Sequence, residues 1–126
     1  MGLASSIGLG VALKNPGRRI FVFDGDGNIL MNLGSLITIG ITEPKNLVHV
    51  IFDNSSHEST GGQPTATNKI QLGKIAKSAN YKVFQIKTKN QLVKIFQNYL
   101  REVCYRCCEM LRKFDLIVSE SSLPAS

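Results

Sequence analysis

A chain of 126 residues is long enough for one domain with a hydrophobic core, and 43% hydrophobic with 19% charged residues is typical of a globular protein in solution. The net charge of +6 comes largely from lysines spread over the second half, which favours a solvated basic face. Nucleic-acid binding is not supported, because no basic stripe with interleaved aromatic residues is present. No apolar run is long enough to cross a membrane and no secretory signal is visible, so we expect a cytoplasmic protein.

Helical and strand patterns alternate along the chain. In order they predict a small-residue helix at Gly2–Lys14, a strand at Arg19–Asp24, a mostly buried helix at Ile29–Ile41, a strand at Leu47–Asp53, a polar loop at Asn54–Asn68, a helix at Gln71–Ala79, a strand at Tyr81–Ile86, a helix at Asn90–Arg112 and a strand at Phe114–Val118. Such alternation predicts an α/β fold, a three-layer α/β/α sandwich around a mainly parallel sheet. We expect residues 1–119 to form this domain and residues 120–126 to be a tail.

Polar residues follow two of the predicted strands. Asp26 lies between Gly25 and Gly27 after the first strand, and Asn54 follows the second. Ligands of open parallel sheets bind at these carboxyl ends, and carboxylate and amide oxygens suit Mg²⁺ or Ca²⁺. The flanking glycines allow close approach of the backbone, and the N–H groups that begin the next helix favour a phosphate. The residues therefore predict a metal and phosphate site, the alternative being a strand-to-helix turn without a ligand.

The sequence Gly25-Asp26-Gly27 followed by Asn54 resembles the motif of the thiamine-diphosphate (ThDP) enzyme family. The resemblance implies that Asp26, Asn54 and the backbone carbonyl of Ser56 hold Mg²⁺, which in turn holds the diphosphate. It also implies diphosphate contacts from the N–H groups of Gly27 and Asn28. Met1 is similar to the apolar residue that supports the bent thiamine. Where the family has two asparagines in a row, this chain has Asp53 and Asn54.

Three stretches narrow the resemblance to the decarboxylases of this family that act on phosphonopyruvate. They are GDGNILMNLGSLITIG, PKNLVHVIFDN and HESTGGQPT. The implied reaction converts phosphonopyruvate, a small anionic 2-oxo acid, into phosphonoacetaldehyde and CO₂. His57 would bind the phosphonate or assist proton transfer, or be a solvated loop residue. The alternatives are the β subunit of a sulfopyruvate decarboxylase and a non-catalytic fragment of such an enzyme.

The same resemblance implies a partner. In the family a glutamate on a pyrimidine-binding domain activates the cofactor across an interface, and no glutamate of this chain matches it. The chain is similar to the diphosphate-binding half alone, beginning partway into it. We therefore expect a pyrimidine-binding domain or subunit, a homo-oligomer or hetero-oligomer, and an apolar face exposed near Met1–Val11 without that partner.

Three cysteines, Cys104, Cys107 and Cys108, fall in the last predicted helix. Their number is odd and no second group completes four zinc ligands. Structural thiols are the favoured interpretation, with a metal or redox role as the alternative.

Overall fold

The computed structural model describes residues 1–99 and 115–120. Its helices are α1 (Ala4–Lys14), α2 (Asp26–Met31), α3 (Gly34–Thr42), α4 (Leu72–Ser78) and α5 (Lys89–Tyr99). Its strands are β1 (Ile20–Gly25), β2 (Leu47–Asp53), β3 (Ser56–His57), β4 (Gln63–Pro64), β5 (Lys82–Ile86) and β6 (Asp115–Glu120). The order of these elements is that of an α/β fold, as predicted. Cys104, Cys107 and Cys108 lie outside the described residues.

Four of the strands form the main sheet, in the order β1-β2-β6-β5. β1 and β2 are parallel, with Ile20 opposite Leu47 and Gly25 opposite Phe52. β6 is antiparallel to both β2 and β5, so the other three strands all run in one direction. Alternation of helices and strands predicts the parallel pairing of β1 with β2 and the common direction of β5. It does not predict that β6 lies reversed between β2 and β5, and β6 also starts and ends later than the expected Phe114–Val118.

The helices α1, α3 and α4 pack together on one face of the sheet at points where glycine permits close contact. A Cβ atom on Gly8 would lie 2.1 Å from the Cγ2 atom of Val22, so α1 is seated directly on β1. A Cβ atom on Gly40 would lie 1.7 Å from the backbone oxygen of Ala79, where α3 meets the end of α4. The core behind these contacts includes Ile29, Leu36, Ile39, Leu47, Ile51 and Leu72. On the opposite face α5 packs against β5, where Ile86 and Leu92 are buried.

The expected single helix at Ile29–Ile41 is wrong in two respects. The segment forms two helices, α2 and α3, and the side-chain amide of Asn32 between them donates to the carbonyl oxygen of Gly2 at 3.0 Å. The segment is also not buried on most sides, since Ile37 is 50% and Ile41 76% exposed. Only the face of α3 that carries Leu36 and Ile39 meets the core.

The expected apolar face near Met1–Val11 is confirmed. Leu3, Ile7 and Val11 follow one another at intervals of four residues, which places them on one side of α1. Their exposed fractions are 57%, 65% and 43%. The neighbouring helix α3 also exposes Ile37 and Ile41, and the two helices are joined by a hydrogen bond between the hydroxyls of Ser5 and Ser35 at 2.8 Å.

Within the described ranges no helix has the length and apolar character that a membrane span requires.

Candidate functional site

A cavity of about 450 Å³ lies at the carboxyl ends of β1 and β2. Because the two strands are parallel neighbours, residues that follow them reach the same edge of the sheet. The residues that line the cavity are Met1, Phe23, Asp24, Gly25, Asp26, Gly27, Asn28, Phe52, Asn54, Ser56, His57, Glu58 and Ser59. The structure thus brings together every residue for which the sequence predicted a site role.

Asp26 is the most deeply buried of these polar residues, with 1% of its surface exposed. It begins α2 directly after β1. Two hydroxyls reach its Oδ2 atom: Thr65 Oγ1 at 2.5 Å and Thr67 Oγ1 at 3.1 Å. Since both hydroxyls use the same oxygen, Oδ1 is the atom through which Asp26 could bind a cation.

Sequence reasoning missed Thr65 and Thr67. They lie beyond the hairpin of β3 and β4, in a stretch predicted only as a polar loop. The backbone N–H of Thr65 donates to the carbonyl oxygen of Ser55 at 2.9 Å, which closes the loop onto the end of β2, next to Asp26. The one available signal was that Thr65 belongs to the HESTGGQPT stretch, and a long polar loop in a compact domain is often functional.

Asn54 is held at the end of β2 by its own side chain. Its Oδ1 atom accepts a hydrogen bond from the backbone N–H of Ser56 at 3.1 Å, and its Nδ2 atom donates to Glu58 Oε1 at 3.2 Å. Asp53 makes the equivalent local turn, accepting from the backbone N–H of Ser55 at 3.1 Å. These turns fix the backbone after β2, where Asn54 and Ser56 both line the cavity.

His57 is packed against the turn that carries Asp26. A Cβ atom built on Gly27 would lie 2.3 Å from the Nδ1 atom of His57, so no larger residue fits at this position without moving the imidazole. The hairpin that carries His57 is closed by a hydrogen bond from the N–H of Gly62 to the carbonyl oxygen of His57 at 2.9 Å. Gly61 and Gly62 both have positive φ, at 107° and 78°, which glycine adopts without strain.

Asp24 lines the cavity and also contacts a buried residue of the sheet. This connection was not predicted from the sequence. The Oδ2 atom of Asp24 lies 3.3 Å from Nε2 of His49, which is fully buried. Its Oδ1 atom accepts from the amide of Asn28, whose own oxygen accepts from the backbone N–H of Gly2. This chain of contacts fixes the approach of Met1 to the cavity.

Comparison with known families agrees with this geometry. Residues 1–107 match the family described as "Thiamine pyrophosphate enzyme, C-terminal TPP binding domain", thiamine pyrophosphate being another name for ThDP. The chain belongs to this family of thiamine pyrophosphate enzymes.

Curated relatives of this thiamine pyrophosphate domain are named as sulfopyruvate or phosphonopyruvate decarboxylases. The sulfopyruvate decarboxylase subunit beta of Methanocaldococcus jannaschii is 52% identical over 103 residues, 81% of this chain and 54% of the relative. That of Methanothermobacter thermautotrophicus is 49% identical over 85 residues, 68% of this chain and 45% of the relative. The phosphonopyruvate decarboxylase of Streptomyces viridochromogenes is 50% identical over 82 residues, 65% of this chain and 20% of the relative. The chain thus spans about half the length, or less, of these relatives.

The walls of the cavity suit the parts of a ThDP molecule. Phe23 and Phe52 stack with ring centroids 6.1 Å apart and give one apolar side. Met1 lines the cavity too, and its sulfur lies 3.7 Å from the hydroxyl of Ser59. The other side is polar, with Asp26, Asn54 and the Ser56 backbone close to the start of α2.

The electrostatics of the cavity also bear on its ligand. Among the lining residues that the structure describes, Asp24, Asp26 and Glu58 carry carboxylates and none is lysine or arginine. A diphosphate would therefore be repelled unless a cation lay between it and Asp26. The described residues contain no group of three or more His, Cys, Asp or Glu that could hold a metal, so such a cation would need the neutral oxygens of Asn54 and Ser56 as well. This mixed set of oxygen donors fits Mg²⁺.

Proposed function

We propose that this chain is the diphosphate-binding half of a ThDP- and Mg²⁺-dependent decarboxylase of a small anionic 2-oxo acid. Our first candidate for the reaction is phosphonopyruvate to phosphonoacetaldehyde and CO₂. The observation that carries the proposal is the placement of the buried Asp26 carboxylate and the Asn54 amide on one cavity at two neighbouring strand ends. Membership of the thiamine pyrophosphate enzymes and the names of the relatives support it.

The metal, the diphosphate and the adjoining part of the thiamine each have a group to receive them in this proposal, and the pyrimidine ring is left to a partner. Asp26, Asn54 and the carbonyl of Ser56 hold Mg²⁺, and the N–H groups of Gly27 and Asn28 bind the diphosphate. Gly25 leaves room beside the metal, since a Cβ atom there would meet nothing within 4 Å. Met1 supports the thiamine. When bound, the cofactor supplies the nucleophile for the keto carbon and the electron sink for loss of CO₂.

His57 is our candidate for contact with the substrate. Its imidazole lines the same cavity and lies against Gly27, beside the proposed diphosphate site. An imidazole at this position can donate to the phosphonate of the substrate or carry a proton to the product. The other ionisable side chains among the described lining residues are the carboxylates of Asp24, Asp26 and Glu58, so His57 is the lining side chain best suited to meet an anionic substrate.

Sulfopyruvate is the second candidate substrate. It also carries an anionic group beyond the 2-oxo acid, and a sulfopyruvate decarboxylase subunit beta matches 81% of this chain at 52% identity. The names of the relatives therefore support both substrates, and a direct comparison of rates decides between them.

We further propose that a pyrimidine-binding domain or subunit completes the site. The chain spans about half the length of two sulfopyruvate relatives that are named as beta subunits. The exposed apolar residues Leu3, Ile7 and Val11 on α1, with Ile37 and Ile41 on α3, offer a surface for such a partner. Burial of this surface would make the enzyme a homo-oligomer or hetero-oligomer.

The test is to measure ThDP binding and CO₂ release for this chain alone and with a pyrimidine-binding partner. We expect Mg²⁺-dependent ThDP binding, no appreciable decarboxylation by the chain alone, and decarboxylation with the partner, faster with phosphonopyruvate than with sulfopyruvate. Failure to bind ThDP at saturating Mg²⁺ would contradict the cofactor site. Binding without turnover in any combination would favour a non-catalytic fragment, and full activity of the chain alone would contradict the half-site proposal.

A further inference from the structure

The hydroxyls around Asp26 form a partly buried cluster that reaches beyond the cavity. Thr67 Oγ1 lies within hydrogen-bonding distance of four oxygens: Asp53 Oδ1 at 2.8 Å, Thr65 Oγ1 at 2.9 Å, Ser55 Oγ at 3.0 Å and Asp26 Oδ2 at 3.1 Å. Thr65 is 5% exposed and Asp26 1% exposed. Water therefore has little access to the hydrogen bond between Thr65 and Asp26, which strengthens it relative to an exposed one.

The cluster restrains Asp26 from outside its own segment. Asp26 is separated from Thr65 by 39 positions in the chain and from Thr67 by 41. A carboxylate at the start of a short helix has several side-chain rotamers available to it. The hydroxyl of Thr65 donates to one carboxylate oxygen, and Thr67 can share its single hydrogen between that oxygen and Asp53, so one rotamer is favoured and the second oxygen of Asp26 is not used by these hydroxyls.

Thr67 also connects the two strand ends. Its hydroxyl meets Asp26, which follows β1, and Asp53, which ends β2. The backbone N–H of Ser55 donates to the same Oδ1 atom of Asp53 at 3.1 Å. Asp53 thus points toward the threonine cluster, and it is absent from the residues that line the cavity.

We propose that Thr65 and Thr67 are positioning residues for the metal-binding carboxylate, and that Asp53 anchors Thr67 instead of binding the metal. This inference rests on the proposed function, since it assigns Mg²⁺ to Asp26. Neither threonine touches the metal or the cofactor. Their effect is to hold Asp26 in the orientation that Mg²⁺ needs before Mg²⁺ arrives, so that little ordering is left for the binding step.

The experiment is a titration of Mg²⁺ at fixed ThDP on the full chain, with ThDP binding as the readout. The variants are Thr67→Val and Thr65→Val, which remove the hydroxyl and keep the shape, and Thr67→Ser, which keeps the hydroxyl. The matched control is Thr42→Val. Thr42 is an exposed residue at the end of α3 whose hydroxyl donates within its own helix, to the carbonyl oxygen of Thr38 at 2.6 Å.

We expect each of the first two variants to need at least about tenfold more Mg²⁺ for half-maximal ThDP binding, as is typical when a partner of a metal ligand is removed. Affinity for ThDP at saturating Mg²⁺ should change much less. Thr67→Ser should restore the Mg²⁺ requirement to within about threefold of the wild type, and Thr42→Val should match the wild type. A purely structural role would instead lower ThDP binding by the same factor at every Mg²⁺ concentration.

Two further outcomes separate the proposals. If the wild-type chain binds ThDP with Mg²⁺ and the valine variants have an unchanged Mg²⁺ requirement, the positioning role is wrong and the proposed function stands. If the wild-type chain shows no Mg²⁺-dependent ThDP binding, the proposed function fails and the positioning role fails with it.

Discussion

Thr65 donates its hydroxyl hydrogen to the Oδ2 atom of Asp26 at 2.5 Å, although 39 positions of sequence separate the two residues. This contact joins the loop after β4 to the turn after β1. It means that the environment of Asp26 is set by tertiary structure as much as by the glycines on either side of it.

Replacing Asp26 with alanine should abolish Mg²⁺-dependent ThDP binding. The cavity would lose the buried carboxylate that offsets the charge of the metal, while Asn54 and Ser56 offer only neutral oxygens. Calorimetric titration of ThDP with and without Mg²⁺ measures the effect. Asp26→Asn is the control for shape, because it keeps one oxygen donor, and it should be intermediate. Undiminished Mg²⁺-dependent affinity in Asp26→Ala would show that the metal is bound elsewhere.

Replacing His57 with alanine in the complete enzyme should lower kcat for phosphonopyruvate by about 100-fold, with much less effect on ThDP affinity, as expected for loss of a group that transfers a proton. Steady-state kinetics and cofactor titration separate the two quantities. His57→Gln distinguishes the two proposed roles, because glutamine can donate a hydrogen bond to a phosphonate but cannot carry a proton at neutral pH. Wild-type turnover in His57→Ala would make His57 a bystander.

Gly40→Ala should destabilise the fold by at least 1–3 kcal/mol, roughly the cost of overpacking a core. Its Cβ atom would lie 1.7 Å from the backbone oxygen of Ala79, and backbone cannot move aside as a flexible side chain does. Gly10→Ala in α1 is the matched control, since a Cβ atom there meets nothing within 4 Å. Urea unfolding should show Gly10→Ala gaining about 0.5–1 kcal/mol. Equal stability of the two variants would refute the close contact between α3 and α4.

Ile7→Ser should reduce self-association of the isolated chain without lowering its unfolding free energy. Ile7 is 65% exposed on the apolar side of α1, so the substitution removes surface that is already in water. Light scattering across a range of protein concentrations gives the apparent mass. Leu13→Ser is the control, because Leu13 is also exposed, at 54%, and lies on another side of the same helix. If both variants associate like the wild type, the contact surface lies elsewhere.

The buried phenol of Tyr81 makes the unfolding free energy depend on pH in the alkaline range. Burial raises the pKa of its phenol well above the ordinary value of about 10, and among the described residues its hydroxyl finds no hydrogen-bond partner. Above pH 10 the unfolded chain loses this proton and the folded chain keeps it, so the unfolding free energy falls as pH rises. Tyr81→Phe should remove that part of the pH dependence and gain about 1 kcal/mol at neutral pH. Identical pH profiles for the two proteins above pH 10 would contradict the assignment.

Most of the fold could be predicted because its signals are local. β2 was predicted as Leu47–Asp53 from its apolar run and has those bounds, and the turn at Gly25 and Asp26 marks the end of β1. The division between α2 and α3 escaped prediction since it involves Asn32 and the distant Gly2. The exposure of Ile37 and Ile41 was also not predicted, because an apolar pattern looks the same whether the side chains pack in the core or lie on the surface.

The candidate site divides in the same way. Asp26, Asn54 and His57 could be identified from sequence, as each follows a strand or falls in a recognisable motif. The supporting residues could not. Thr65 and Thr67 reach Asp26 only through closure of the loop, and Asp24 reaches His49 only because β1 and β2 pair in register. Contacts of this kind depend on the folded chain, and no spacing in the sequence encodes them.

The distance in sequence between the two halves of the cavity has a consequence for the time course of folding. Residues 24–28 and 54–67 must both be in place before Asp26 is oriented, and closing the segment between them costs chain entropy that local contacts do not recover. In a chain that has formed its helices but has not yet paired β1 with β2, the residues of the site would not yet lie close to one another. The ability to bind ThDP would therefore develop late in folding, after most of the helical signal in circular dichroism has returned.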